Sequence, residues 1–545
     1  MVWTSTRWRK CISSYAFLVI SALVVVVVMA VGMFFGTRMV IGEKGPHNLR
    51  VVVETFGAEV FDPSMDSFTG LYLHSHMFDY MLGIGSNGKQ DFNLGALSRW
   101  ETKSNGKEFE LVLKKGMRWH DGKMVTSADI QFSLEHYMRR DSSCAACPGL
   151  KRDVKDIELI DNLSARIRLK VPDIVFIARF GPLEADMPLL PKHQFEKVGT
   201  VTFNKEPLGS GPWKFGSHVK GEFAEFEKNL NYWNHERVPT INVLKLHQVT
   251  EEDSRIAMLE SGVVDIVPIG PGNVEKLKNK GFQIKGPQNI ISTTIRFLMS
   301  YDESFLTYHL DFRKALIYGT DLALNVSTIY PEESATVARG SALFRPFTPG
   351  YDSDLDTYPY DPKIAKSLLD GVGYDGETIQ LYSLPAYGLM KLPQINEMIA
   401  RDWRRIGLQV DVIEIDWISL AAKMQSRPQW FDDPKIISMF QGAAPVRPRA
   451  VLDQMRRYMT DADGAILAYP DIEKGNRIFS EINGTLDESD RETLLKKLNR
   501  EMYDEFWAIP VLWSHDTYAI SPDLKGWLPT DGVSTDLHFE TVRGR

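Results

Sequence analysis

Phe109-Glu-Leu-Val-Leu-Lys-Lys-Gly-Met-Arg-Trp-His-Asp-Gly-Lys-Met-Val-Thr-Ser-Ala-Asp-Ile-Gln-Phe-Ser-Leu134 is the stretch on which the reading of this chain turns. Phe109, Leu111 and Leu113 alternate with Glu110 and Val112, the period of two that suits a half-buried strand. Lys115-Gly116 breaks the run, and His120-Asp121-Gly122 makes a second turn in which glycine supplies positive φ. Thr126 stands three residues before Asp129, a variant capping box at a helix start. Ile130, Leu134, Tyr137 and Met138 then continue at helical spacing. A strand, two turns and a capped helix form a scaffold, and they place neither a nucleophile nor a base.

Outward from that stretch, the bulk numbers set bounds. At 545 residues the chain exceeds one hydrophobic core, so two or three domains are expected. With 43% hydrophobic and 25% charged residues the composition is globular. The formal net charge is -8, and four cations with no acid in residues 1–42 leave -12 on the remainder. An acidic body without a clustered basic stripe argues against a nucleic-acid partner. Gly83-Ile-Gly-Ser-Asn-Gly88 matches G-x-G-x-x-G only formally, since a polar run and no helix follows it, and it reads as a hairpin turn. Gly209-Ser210-Gly211 lacks the G-x-S-x-G of a hydrolase elbow and reads as a tight turn before a strand.

Arg7, Arg9 and Lys10 precede an apolar run from Tyr15 to Phe35. Its twenty-one residues reach roughly 30 Å as a helix, enough to cross a bilayer core. No Ala-x-Ala site follows, so the run reads as an uncleaved transmembrane anchor, with a long signal peptide as the alternative. Either way the body is exported. Cys144-Ala-Ala-Cys147 lies in a Ser/Pro/Gly loop and is able to close a small disulfide outside the membrane; free thiols and a redox pair are the other readings. His74, His76, His120 and His136 are the available metal donors. His74 and His76 point apart on a helix, and no metal site or cofactor is expected.

Helix–Gly–strand units recur along the chain. Arg255–Gly262 reads as a helix closed by Gly262, with a strand at Val263–Val267. Asp361-Pro362 is an N-cap followed by proline in the first turn, with Gly371 and Gly373 as stops. From Pro393, Ile395, Met398, Ile399, Trp403 and Ile406 share one helix face before Gly407 and the alternating Leu408, Val410 and Val412. Leu71–Leu82 also looks helical. Such units build α/β layers with mixed sheets.

The order Gly116, Trp119-His-Asp-Gly122, Thr126, Asp129, Phe132-Ser133 closely resembles the signature of the family-five solute-binding proteins of ABC importers. Pro207-Leu-Gly-Ser-Gly-Pro-Trp213 resembles that family's Pro-x-Gly-Thr-Gly-Pro-Tyr. The Arg255–Ile266 and Asp311–Asp321 segments resemble two further family elements. Matching motifs run from about residue 49 to Trp527. The resemblance implies a bilobed periplasmic-binding-protein fold in which two α/β lobes close over a ligand. It divides the chain into a tail and anchor (1–42), lobe I (43–85), an inserted domain II (86–195), a second part of lobe I (196–290), lobe III (291–505) and a C-terminal return to lobe I (506–545).

It further implies a monomeric receptor on the extracytoplasmic face of the membrane that captures a peptide-like solute between its lobes. The receptor would then serve a permease driven by ATPase subunits. No P-loop occurs, so hydrolysis would belong to those partners. A ligand-occupancy sensor and a cleft hydrolase are the competing readings, and no Ser-His-Asp set or H-E-x-x-H supports the second. In peptide-binding relatives an aspartate past a Glu-Trp element takes the ligand's amino group. Here Glu414-Ile-Asp-Trp417 fits the element, whereas Ser438–Arg449 carries no acid. Asp432 and Asp433 are nearby and would serve the amine if the alignment slips. Arg447 and Arg449 suit a carboxylate or phosphate instead. Asp62, Tyr72, Trp417, Phe440 and Gln441 complete the candidate ligand set, while Trp213, Tyr232, Trp233 and Trp513 read as core.

Overall fold

The strand expected at Phe109–Leu113 is β3 (Glu108–Leu113), and its alternation is real: Phe109, Leu111 and Leu113 are buried and their neighbours half-buried. It pairs antiparallel with β2 (Leu97–Lys103) and β5 (Ser164–Leu169), and β4 (Val154–Leu159) completes a four-stranded sheet of order β2-β3-β5-β4. The helix Ser127–Tyr137 starts as its sequence predicts, with the Thr126 N–H donating to Asp129 Oδ2 at 2.8 Å. These are features of a computed structural model. It describes residues 48–543 except 58, 66–69, 86–89, 145–146, 175, 183–186, 289–290, 342, 347, 384–390, 416–419, 421–432, 446–449, 461–468 and 530–537. The chain divides into two units, Met1–Pro46 and His47–Arg545. The first, with the expected membrane anchor at 15–35, lies outside the described residues. Among the described residues no helix is long and apolar enough to cross a membrane.

Two mixed sheets form the rest of the body. The first is seven-stranded in the order β10 (Gln283–Lys285), β17 (Tyr518–Ile520), β9 (Ile266–Pro268), β1 (Asn48–Val53), β8 (Val243–Gln248), β7 (Phe223–Lys228), β6 (Trp213–Val219). β1 runs parallel to β8 and β9, and the other pairs are antiparallel. The second is six-stranded: β12 (Ala335–Val337), β16 (Ala508–Ser514), β11 (Ile291–Phe297), β15 (Ile436–Pro445), β13 (Thr378–Ser383), β14 (Gln409–Glu414). Here β13 lies parallel to both β14 and β15.

Each two-sided sheet has apolar packing on both faces. Leu49, Val51 and Val53 of β1 share one continuous core with Phe109, Leu111 and Ile167 of the four-stranded sheet. Val52 turns to the other face, with Ile256, Leu259 and Val267. In the second sheet Ile295, Leu381 and Met439 pack under the helix Leu392–Arg405, while Leu298, Tyr382 and Phe440 face a separate cluster.

Three local expectations shift. The helix expected over 71–82 is only Leu71–Met77, because Phe78 is extended and the Met77 carbonyl is taken by the Gly211 N–H at 2.9 Å. The strand expected over 263–267 begins at Ile266. Gly262 turns left-handed (φ 71°), and the Val263 N–H reaches back to Met258 O at 2.9 Å, closing the helix Glu252–Glu260. The return to the first sheet, set at 506, comes after Ser514. Ala508–Ser514, apolar up to Trp513, is buried throughout and lies between β11 and β12 in the second large sheet.

Candidate functional site

The chain crosses between the two large sheets twice, from β10 to β11 and from β16 to β17. The crossings lie side by side: the Asp516 N–H donates to Pro287 O at 3.1 Å, and a Cβ on Gly286 would overlap the Asp516 carbonyl. Thr517 braces them through Glu333 O at 3.1 Å and Ser334 Oγ at 3.3 Å. In open sheets the carboxyl ends of parallel strands are where ligands bind. Here those ends, of β1, β8 and β9 in one sheet and of β13, β14 and β15 in the other, present two different chemistries.

On the first sheet the group is acidic. Glu54, just past β1, is held by Arg255 Nη2 at 2.8 Å. Arg255 is itself fixed by Pro268 O at 3.0 Å and Val249 O at 3.2 Å, so the guanidinium knots the ends of β8 and β9 to the carboxylate. Asp516 in the crossing is pushed up to about 7 by burial and by the charge of Glu54. Tyr72, a candidate from the sequence, is buried here; burial first, then the charge of Asp516, raises its hydroxyl pKa well above the ordinary value.

On the second sheet the buried group is neutral, and the exposed Glu414 ends β14 directly opposite Ser383. Gln441 lies directly opposite Ser383 on β13 and Ile295 on β11, and Thr293 follows on the same face two residues along. Gln441, Ser383 and Thr293 are fully buried, yet among the described residues neither Gln441 amide atom nor either hydroxyl has a hydrogen-bond partner. Asn396, in the helix Leu392–Arg405 that covers this face, is also fully buried, and among the described residues both its amide atoms are unpartnered. Each such group costs roughly 1–3 kcal/mol when left unpaired. Ser383, Thr293 and Asn396 escape the sequence reading, although Ser383 ends a strand just before Pro385. Glu54 and Asp516 escape it too, because only the fold brings residues so far apart together.

The remaining candidates separate. Asp62 sits away from the strand ends, wholly buried: His136 Nε2 lies 2.8 Å from its Oδ2 and the Ser64 N–H 3.0 Å from its Oδ1. Burial alone pushes this carboxyl up, but the bonds from His136 and Ser64 bring it below its ordinary value. Arg139 Nη1 donates to His136 Nδ1 at 2.8 Å. Phe440 is buried and packs against Tyr458, with ring centroids 6.4 Å apart. Cys144 and Cys147 form a disulfide, and the N–H groups of Ser143 and Cys144 both donate to Ser64 O. Trp417, Arg447, Arg449 and Asp432 lie outside the described residues. Trp213, Tyr232 and Trp513 are buried, and Trp233 is half-buried. Among the described residues no cluster of His, Cys, Asp or Glu is arranged to hold a metal.

The two strongest motifs of the sequence meet each other instead of the strand ends. The His120 N–H donates to Gly209 O at 2.8 Å, the Gly209 N–H donates back to His120 Nδ1 at 3.3 Å, and His120 Nε2 lies 3.0 Å from Gly211 O. Burial lowers the imidazole pKa to about 4. A neutral ring with Nδ1 accepting and Nε2–H donating fits that setting. Gly209 and Gly211 press on the Met77 carbonyl, where no Cβ fits. The signature turn is thus a fastener between the four-stranded sheet and the first large sheet.

A family model for bacterial extracellular solute-binding proteins, family 5 (middle region), matches residues 93–454. The chain belongs to this family. The dipeptide-binding protein of Escherichia coli K12 is 22% identical over 356 residues, 59% of this chain and 63% of that protein. The nickel-binding periplasmic protein of the same organism is 22% identical over 472 residues, 82% of this chain and 85% of that one. Among solved structures, HbpA2 from Haemophilus parasuis superposes with a TM-score of 0.77 at 17% identity, covering 91% of this chain and 100% of that one. The likeness carries the bilobed solute-binding fold. The first two relatives are named for the dipeptide and the nickel that they bind.

Proposed function

We propose that this family member is the receptor of an ABC importer and binds a peptide-like or other small polar solute between its two lobes. It would hand that solute to a membrane permease powered by ATPase subunits. The observation that carries the reading is the buried, unpartnered set Gln441, Ser383 and Thr293 beside the double crossing. A solute's amide and carbonyl groups would satisfy those atoms, and closure of the lobes would exclude water around them. Glu54 and Asp516 would face the ammonium end, taking the place of the aspartate missing after β15. Arg447 and Arg449 would take a carboxylate, and Trp417 would wall the site. The apolar segment 15–35 would hold the receptor at the extracytoplasmic face near its permease, raising the effective concentration. The lobe and insert boundaries proposed from the sequence are kept, with the final return moved past Ser514.

The test is a thermal-shift and calorimetric screen of the full chain against di- to pentapeptides, their N-acetylated forms and nickel chelates. A ligand at a hundred times its dissociation constant adds about 2.7 kcal/mol of stability. Gln441→Leu is expected to keep or raise the melting temperature, since it replaces an unsatisfied polar group by an apolar one, and to weaken the ligand about tenfold or more. Asp516→Asn should weaken free-amine peptides and spare N-acetylated ones. Unchanged affinity in both variants would remove the strand ends from the binding site.

A further inference from the structure

The signature turn borders a groove of about 630 Å3, facing the end of β7 and the loop that follows it, and the solute reading makes no use of it. Lys114, Lys115 and Arg118 come from one wall and Lys214 and His235 from the other, and among the described residues no aspartate or glutamate lines it. This concentration of positive charge sits on a chain with 71 acidic against 63 basic residues.

The cations are not equally committed. Lys114 Nζ donates to Leu97 O at 3.0 Å and lies 4.7 Å from the Trp233 ring centroid, so it belongs to the wall itself. Arg118 gives Nη1 to Gly122 O at 2.7 Å, which leaves most of its donor fork unused. Lys115 and Lys214 make no ion pair among the described residues. The acids nearby are engaged or lie outside the lining. Asp121 is held by His193 at 2.9 Å and Lys123 at 3.7 Å, and Glu227 neighbours Lys214 across the β6–β7 ladder. The floor is rigid, because Asp79 accepts from Tyr232 Oη at 2.7 Å and Trp233 Nε1 at 3.1 Å. A concave surface with cations on two fixed walls focuses positive potential and gains most from several negative charges at once.

We propose that this groove is a second binding site, separate from the interlobe ligand site, for a soluble, multiply charged oxyanion of the phosphate or polycarboxylate class. The experiment titrates the full chain calorimetrically with pyrophosphate and with citrate, at low and at moderate salt. The expected result is binding of at least one of them that weakens with salt. It should also fall about tenfold in Lys115→Gln/Lys214→Gln and stay unchanged in Arg447→Ala/Arg449→Ala. No binding of either anion by the unaltered chain overturns the proposal. So does loss in the Arg447/Arg449 variant with the groove variant unaffected, which would put the anion in the solute site. Attachment to vesicles of anionic lipid without binding of either soluble anion overturns it as well. Peptide binding measured on the same samples reports on the solute site independently.

Discussion

Replacing Asp62 tests whether position in the core or chemistry at a cleft explains this residue. Its carboxylate is wholly buried and accepts from His136 and from the Ser64 N–H. Removing one partner of a buried, hydrogen-bonded pair costs about 3–5 kcal/mol, because the remaining donors lose their acceptor without regaining water. Asp62→Asn keeps the shape and loses the charge-assisted part, about 1.5–3 kcal/mol. A cooperative unit of 150–250 residues loses roughly 2–4 °C per kcal/mol. Asp62→Ala should therefore lower the melting temperature by about 6 °C or more at pH 7. The pH dependence has a definite sign. The folded-state pKa lies below the unfolded value of 3.8, so the contribution is fully present above that value and disappears as pH falls through the folded pKa. Unaltered and Asp62→Asn chains should converge in stability on acidification below about pH 4. Scanning calorimetry with parallel ligand titration reads both quantities. An unchanged melting temperature together with a tenfold loss of ligand affinity would refute the core assignment and restore Asp62 to the binding site.

Gly209→Ala should prevent stable folding or cost several degrees of melting temperature, since its Cβ overlaps the Met77 carbonyl; circular dichroism melts of the variant beside Lys205→Ala check it. Asp516 is pushed up to about 7, so the folded chain holds a proton that the unfolded chain releases near 3.8. Its contribution thus makes stability fall as pH rises from about 4 to 7, and melts of Asp516→Asn across that range should show a flatter profile. Cys144→Ser/Cys147→Ser opens a loop of sequence separation 3, worth about 2 kcal/mol by loop-closure entropy, and should lower the melting temperature without changing ligand affinity.

Much of the architecture was legible because local rules and tertiary packing agree in it. The alternation at Phe109–Leu113, the Thr126–Asp129 box, the Asp361 cap and the glycine stops at 262, 373 and 407 each have one physical solution, and the fold adopts it. Asp361 Oδ1 accepts from the N–H groups of Lys363 and Ile364, and Gly373 sits at φ 80°. The helix from Leu71 was overestimated because its end is decided by Gly211, far away in sequence. The site was less legible for the same reason. Asp62 follows a strand and precedes a proline as a cleft residue would, yet the helix carrying His136 covers it. Glu54 and Asp516 meet only because β1 and β17 enter one sheet. Ser383 and Gln441 become neighbours through a register that neither strand encodes alone.

The order of strands in the seven-stranded sheet also constrains when the molecule can become itself. β17, from residues 518–520, separates β10 from β9 and is, among the described residues, the only neighbour β10 has in that sheet. A growing or translocating chain can finish the four-stranded sheet early, since all its strands lie within residues 97–169. In the first large sheet the edge strand β10 joins only when β17 arrives, and in the other the edge strand β12 joins only when β16 does. One segment, residues 508–520, therefore completes both large sheets, and its loss would strip a strand from each. Long-range closures of this kind are slow. β1 finds β8 and β9 before that segment is made, whereas β10 and β12 wait for β17 and β16.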